Sequence, residues 1–397
     1  MHPPHLDWPF FDDRHRELAA SLGTWLAAQT PILLPASTDA TAADAATRKW
    51  VRLLGDGGWL RYCVPAAWGG AHETVESRPL CVLREALASH DALADFAFAM
   101  QGLGSGPITL GGSEDMQRRW LPKVAKGEAI AAFALSEPES GSDAAALRTT
   151  ATRVPDGWRI DGTKTWISNG GIADFYCVFA RTNPDAAPAK GISAFLVPGR
   201  APGLAIRERI GVMSPHPLAT LSFERCTVPD ENRLGDENDG FGLAMRTLDI
   251  FRVSVAAAAT GLARRATTEA LQYAADREMF GATLGAQPLA QAILGDMATD
   301  VDAAALLTYR AAWHRDTRPG RMTGMAAMAK LGATELAQRV IDRALQLHGA
   351  RGVRVGEIVE RLYRDVRALR IYEGATEVQR MLVGREMLKD LERSGGS

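Results

Sequence analysis

The chain has 397 residues, more than one ordinary core accommodates, and calls for two or three domains. Hydrophobic residues make up 46% and charged residues 23%, and the formal net charge is -2, so charge offers no case for nucleic acid or an anionic membrane as partner. Cys63, Cys81, Cys177 and Cys226 lie far apart without a Cys-x-x-Cys pair, which argues against a zinc knuckle or a disulfide framework and suits buried free thiols.

The N-terminus, MHPPHLDWPFFDDRHREL, carries Asp and Arg where a secretory signal needs an apolar run. The longest apolar stretch, around residues 253–259, is too short to span a bilayer, and the composition reads as that of a cytoplasmic protein without a membrane span. Phe11, Leu18, Leu22, Trp25 and Leu26 recur at helical spacing over 11–29, and Pro31 ends the pattern. A second helix is expected from about Ala42 to Leu54, and a long helical pattern covers 74–100. Ser113 is a good N-cap for a further helix, with Glu114 and Asp115 favourably placed against the helix dipole.

The texture changes near Ala129. WRIDG at 158–162 follows an Asp-Gly turn, and FYCVFAR at 175–181, ISAFLVP at 192–198, LAIRERI at 204–210 and LATLSFERCTVP at 218–229 follow. Aromatic and β-branched residues with Gly and Pro punctuation predict antiparallel strands in a compact barrel or sandwich. GDENDG at 235–240 predicts a loop. Helices are then expected at about 241–276, 288–315, 322–348, 357–365 and 375–391, an antiparallel bundle. The domains expected are an N-terminal helical one at 1–128, a middle β one at 129–239 and a C-terminal helical one at 240–397.

Several segments carry chemistry. GLGSG at 102–106 has no strand before it and no βαβ context, so it reads as a helix-ending glycine turn, not a dinucleotide loop. LSEPESGSD at 135–143 is a polar turn able to aim N–H groups and hydroxyls at a phosphate or flavin edge, or simply a connector. In TKTWISNGG at 163–171, Trp166 can stack on an aromatic cofactor or fill the core. In RIYEGATEVQR at 370–380, Glu373 sits between Ile371–Tyr372 and Gly374. Apolar surroundings would raise its pKa, as suits a general base, while a helix-start Glu is the plainer reading. The histidines show no metal-ligand spacing, and no Gly-x-Ser-x-Gly elbow is present.

Taken in order, LSEPESGSD (135–143), TKTWISNGG (163–171), ADREMFG (275–281), QLHGARGV (346–353) and IYEGATEVQR (371–380) resemble the acyl-CoA dehydrogenase family over nearly the whole chain. The resemblance implies an α+β multidomain fold: an N-terminal α-helical domain, a middle antiparallel β-barrel and a C-terminal four-helix bundle, with FAD as cofactor. It implies that Phe133, Leu135 and Ser136 border the flavin, that Gly141 and Ser142 hold cofactor or the substrate's pantetheine arm, and that Trp166, Ile167 and Ser168 form the flavin wall. It places Arg277, Phe280, Gln287, Gln346 and Gly349 on the adenine-diphosphate half of FAD from a neighbouring subunit, in a homotetramer. Ala375 and Glu377 fall on further cofactor positions, although Ala375 stands where many members have a Thr. Glu373 matches the catalytic base, with Arg252, Tyr372 and Gly374 beside the substrate.

The reaction so implied is α,β-dehydrogenation of an acyl-CoA to a trans-2-enoyl-CoA. Glu373 takes the α-proton, the β-hydride goes to flavin N5, and an electron-transferring flavoprotein is the acceptor. An acyl-carrier-protein thioester as substrate, a flavin oxidase or monooxygenase on the same fold, and a non-catalytic helical scaffold are the alternatives.

Overall fold

The computed structural model describes residues 4–318, 320 and 322–395. The first three residues of the leader reading, and the outermost ends of the expected first and third domains, lie outside these. Helices α1 (Asp13–Ala27), α2 (Ala40–Asp56), α3 (Ser77–His90), α4 (Ala92–Gly111) and α5 (Glu114–Ala125) come first. Strands β1 (Ala131–Ala134), β2 (Thr150–Val154), β3 (Gly157–Ser168), β4 (Phe175–Arg181), β5 (Ile192–Pro198), β6 (Leu204–Arg209), β7 (Leu218–Val228) and β8 (Arg233–Leu234) follow. Helix α6 (Gly240–Asp276), the short strands β9 (Glu278–Met279) and β10 (Ala282–Thr283), and helices α7 (Pro288–Thr317), α8 (Thr323–Leu347), α9 (Ile358–Leu369) and α10 (Thr376–Gly395) complete the chain. The helix–strand–helix order matches the expectation, and Ser113 caps α5 by accepting from Met116 N at 3.3 Å.

Two expectations are corrected. The helical pattern over 74–100 is two helices, because Asp91 is extended and its carboxylate accepts from Leu93 N at 2.9 Å and Ile32 N at 2.6 Å. Those bonds replace the helical ones that a continuous helix would offer. GLGSG is no terminal turn either; it lies inside α4. Its glycines are there for close approach. A Cβ on Gly102 would meet the Phe251 ring at 2.4 Å, one on Gly104 the Ala131 backbone at 2.7 Å, and one on Gly106 the Thr247 methyl at 2.6 Å. The roughly 1 kcal/mol that each helical glycine costs relative to alanine is offset by that packing.

The chain forms two compact units, the described residues of Met1–Pro35, Glu76–Asp95 and Arg252–Ser397 in one, and Ala36–Val75 with Phe96–Phe251 in the other. In the second unit the strands run β6-β7-β3-β2-β4-β5-β8, with β1 beside β4. Most pairings are antiparallel, but β1 and β2 each meet β4 in parallel. Phe175, Phe179 and Phe195 are fully buried, and Cys177 donates to Gly104 O at 3.2 Å, so its thiol is a core group, as are the other three.

In the first unit α8 packs against α7, α9 and α10, and α3 packs against α1 and α7. Helix α3 borrows its N-terminal cap from α7: Asp316 accepts from Ser77 N at 2.6 Å and Arg78 N at 2.8 Å. Among the described residues no helix is long and apolar enough to cross a membrane.

Gly104→Ala tests the helix-interior reading. On an exposed helix the change would stabilise; here the fixed Ala131 backbone should make it cost about 1–3 kcal/mol. Urea unfolding of the two proteins measures this, and a stabilised variant would contradict the close approach.

Candidate active site

Glu373 lies in the turn between α9 and α10, with φ 52° for Glu373 and 93° for Gly374. Two successive left-handed residues are costly, and a Cβ at Gly374 would fall 2.2 Å from the Gln379 amide nitrogen. Side chains from three helices hold the turn. Lys330 Nζ (α8) donates to Gly374 O at 2.6 Å, and Gln379 Nε2 (α10) donates to the same oxygen at 3.0 Å. Arg252 Nε (α6) and Gln379 Nε2 approach Glu373 O at 3.5 and 3.4 Å. Glu335 (α8) pins both flanks, accepting from Arg370 Nε at 2.9 Å and from Thr376 Oγ1 at 2.7 Å.

The carboxylate itself is left open. Glu373 Oε2 is buried and makes no hydrogen bond to any described residue. Burial raises the pKa of the carboxyl above its ordinary value; Arg84, Arg252 and Lys330 pull it down, Asp95 pushes it up, and the net shift is upward. The direction is the expected one, and so is its main cause, desolvation. Ile371 is 59% and Tyr372 40% exposed, and charged groups that the sequence did not announce, Arg84, Lys330 and Asp95, also act on the carboxylate. Nor is Glu373 a helix-start residue: α10 begins at Thr376, and Glu377 holds the first-turn position.

A buried ion pair completes this neighbourhood. Arg84 on α3 gives Nε and Nη2 to Asp95, each at 2.8 Å, and Nη1 to Ser254 at 2.9 Å. Arg84, Asp95, Lys330, Glu335 and Gln379 were not foreseen from the sequence. Periodicity cannot separate a buried from an exposed charge on α3, but Lys330 had a signal: it is the lone charge in the small, apolar run MAAMAKLGA.

The second unit carries the residues expected at the flavin wall. The β3–β7 register slips between Lys164 and Ile167, a bulge that contains Thr165 and Trp166. Thr165 N leaves the ladder and donates to Ser136 O at 3.0 Å, joining the TKTW segment to LSEPESGSD. Trp166 has φ 59° and is 59% exposed, so it is not a core residue. Ile167 is buried and offers a ligand only backbone, Leu135 is buried, and Phe133 packs on Phe179 at 4.9 Å between ring centroids. Ser136 and Ser168 are half-buried; Gly141 and Ser142 are exposed.

Beneath this wall Lys164 Nζ, fully buried, donates to Glu137 Oε1 at 2.8 Å and Leu135 O at 2.9 Å. Glu137 also accepts from Arg148 N at 2.6 Å and Thr149 N at 3.0 Å. Burial pushes the Lys164 ammonium down to about 8, and Lys164 with these N–H groups holds Glu137 below the carboxylate range despite burial.

In the first unit the stacked rings of Tyr273 and His348, 4.3 Å between centroids, join the end of α6 to the end of α8. Arg277 and Phe280 follow the first of these ends, and Gln346 and Gly349 flank His348 at the second. Phe280 is 90% exposed with φ 52°, and Gln287 precedes α7 as its N-cap residue.

Comparison with known proteins identifies the family. Residues 12–128, 132–226 and 238–388 match the models for the N-terminal, middle and C-terminal domains of acyl-CoA dehydrogenase. Cyclohexane-1-carbonyl-CoA dehydrogenase of Geobacter metallireducens is 36% identical over 361 residues, 90% of this chain and 94% of that one. The butyryl-CoA dehydrogenase structure from Megasphaera elsdenii superposes with a TM-score of 0.86 at 30% identity, covering 95% of this chain and 99% of the other. An acyl-CoA dehydrogenase from Bacillus anthracis, complexed with FAD, gives 0.85 at 27% identity over 96% of this chain and 68% of its own. The chain belongs to the acyl-CoA dehydrogenase family and is an oxidoreductase acting on the CH–CH group of an acyl-CoA.

Glu137→Gln leaves Lys164 buried without its counter-charge and should cost about 3–5 kcal/mol at pH 7. Because the folded pKa of Glu137 is depressed, its contribution is present above the unfolded value of about 4.3 and fades as pH falls through the folded one. The gap between wild type and variant should therefore narrow at pH 3. Urea titrations at pH 7, 5 and 3 measure it, and a gap independent of pH would contradict the pairing.

Proposed function

We propose that the chain is an FAD-dependent acyl-CoA dehydrogenase that forms a trans-2-enoyl-CoA, with Glu373 as the base for the α-proton. The observation that carries this reading is the buried, unpartnered Oε2 of Glu373 in a turn fixed by Arg252, Lys330 and Gln379. A carboxylate held in place, desolvated and without a hydrogen-bond donor of its own on that oxygen keeps the lone pair for a proton. Its raised pKa brings its basicity closer to the weakly acidic α-carbon, while the three neighbouring cations keep the ionised form accessible.

The residues fit a flat, aromatic, diphosphate-bearing cofactor. Trp166 stands exposed on a bulge tied to the Ser136 loop, and Arg277 and Phe280 stand exposed at the end of α6. Phe133, Leu135, Ser136, Trp166, Ile167 (through its backbone) and Ser168 would hold the ring system. Gly141 and Ser142 would serve cofactor or pantetheine. Arg277, Phe280, Gln287, Gln346 and Gly349, with Ala375 and Glu377, would serve the remainder of FAD, the adenine end across a subunit boundary in a homotetramer. FAD, when bound, supplies the two-electron acceptor for the β-hydride. Tyr372, Gly374 and Arg252 border the thioester, and the fixed Glu373 turn offers its N–H groups to an oxygen that gains charge as the proton leaves. Three domains, at 1–128, 129–239 and 240–397, a cytoplasmic location and an electron-transferring flavoprotein as acceptor belong to the same reading.

Glu373→Gln keeps the shape of the side chain but removes the base. Anaerobic flavin bleaching by a panel of acyl-CoAs should slow by about 100-fold or more with FAD retained. In the parent protein the rate should fall as pH drops through the raised pKa of Glu373, since protonation takes up the lone pair. Near-normal bleaching by the variant would overturn the assignment. Trp166→Ala should weaken FAD retention and shift the flavin spectrum while leaving the urea midpoint nearly unchanged, because an exposed indole contributes little to the core. Full occupancy with an unaltered spectrum would place FAD elsewhere.

A further inference from the structure

Lys330 is fully buried in the middle of α8, where a lysine must give up hydration of both stem and ammonium. Burying an ammonium costs free energy that an apolar side chain of similar volume would not incur, so packing alone gives no reason for a lysine here. What the ammonium meets is the Glu373 turn: its Nζ donates to Gly374 O at 2.6 Å, one peptide beyond the carboxylate-bearing residue.

We infer that Lys330 is a positioning residue for Glu373: its ammonium clamps the left-handed turn and adds a positive charge that favours the ionised form of the buried carboxylate. The inference rests on Glu373 being the base and adds a group that both holds its turn and, with Arg84 and Arg252, favours its charge.

The charged groups that act on the pair lie on α3, α4, α6, α8 and α10. Arg84 on α3, Asp95 on α4 and Arg252 on α6 act on Glu373; Arg252, Glu335 on α8 and Glu377 on α10 act on Lys330. Arg84 is committed to Asp95 in a bidentate pair, so much of its charge is offset locally. Lys330 is offset by Glu335 only in part, because Glu335 is engaged with Arg370 through a 2.8 Å ion pair. Burial lowers the Lys330 ammonium to about 8, and Glu373 is the first group that raises it again, the reciprocal of the support that Lys330 gives the carboxylate.

Lys330→Met, Lys330→Gln and Lys330→Arg separate charge from hydrogen bond. With FAD loaded, the acidic midpoint of acyl-CoA-driven flavin bleaching should rise by about one pH unit in Met and Gln, the usual worth of a near opposite charge. It should stay close to wild type in Arg. A second readout needs neither substrate nor turnover. A raised carboxyl pKa makes stability fall as pH rises from the unfolded toward the folded value. Urea midpoints of Met and Gln should continue to fall at pH values where the wild type has levelled, and Glu373→Gln in the same background should abolish that difference.

An unshifted midpoint in Gln or Met, or a Gln variant with the wild-type profile, overturns the charge role. If Met does not fold, Gln and Arg carry the test. Glu373→Gln alone distinguishes the two failures: near-normal bleaching by it sinks the base assignment, whereas a slow Glu373→Gln beside unshifted Lys330 variants sinks only the inference on Lys330.

Discussion

The arrangement depends on one constraint: a carboxylate must stay buried and open on one oxygen without collapsing onto the nearest cation. Arg252, Lys330 and Arg84 are all close enough to bias its charge, yet Arg252 Nε and Lys330 Nζ face carbonyls of the turn, and Arg84 donates to Asp95 and Ser254. The left-handed geometry follows, since only a turn of this kind presents two successive carbonyls to helices α6, α8 and α10.

The second unit solves a similar problem by the opposite means. There the charge pair is closed: Lys164 and Glu137 satisfy each other and three backbone groups. The pair ties β3 to the 135–143 segment and to the residues just before β2. One buried lysine thus serves as a rivet and the other as a support for a neighbouring charge, a difference set by whether the partner carboxylate is shared with the backbone or left open.

Much of this was legible in the sequence. Aromatic and β-branched runs between Gly and Pro turns revealed the strands from 158 onward, and the five ordered motifs pointed to the family, because each is a local run whose chemistry survives without coordinates. The failures have physical causes. Asp91 breaks a helix through bonds to Ile32 and Leu93, one of them with a partner 59 residues away. The glycines of GLGSG look like a terminus but answer to Ala131, Thr247 and Phe251. Arg84, Asp95 and Glu335 read as ordinary helix-surface charges until packing buries or pairs them. The surroundings of Glu373 were expected to be apolar because Ile371 and Tyr372 are its chain neighbours, whereas its spatial neighbours come from other helices.

The Glu373 turn also has a place in the order of folding. Its tethers close loops of 121 residues to Arg252 and 44 to Lys330. Contacts of such sequence separation carry a large closure entropy and form only when the elements bearing them are already docked. Gln379 is a local tether, but the bonds from Arg252 and Lys330 can close only once α6 and α8 have docked on the turn. The full set of tethers around the base is thus a property of the docked helices and not of the 371–375 segment alone.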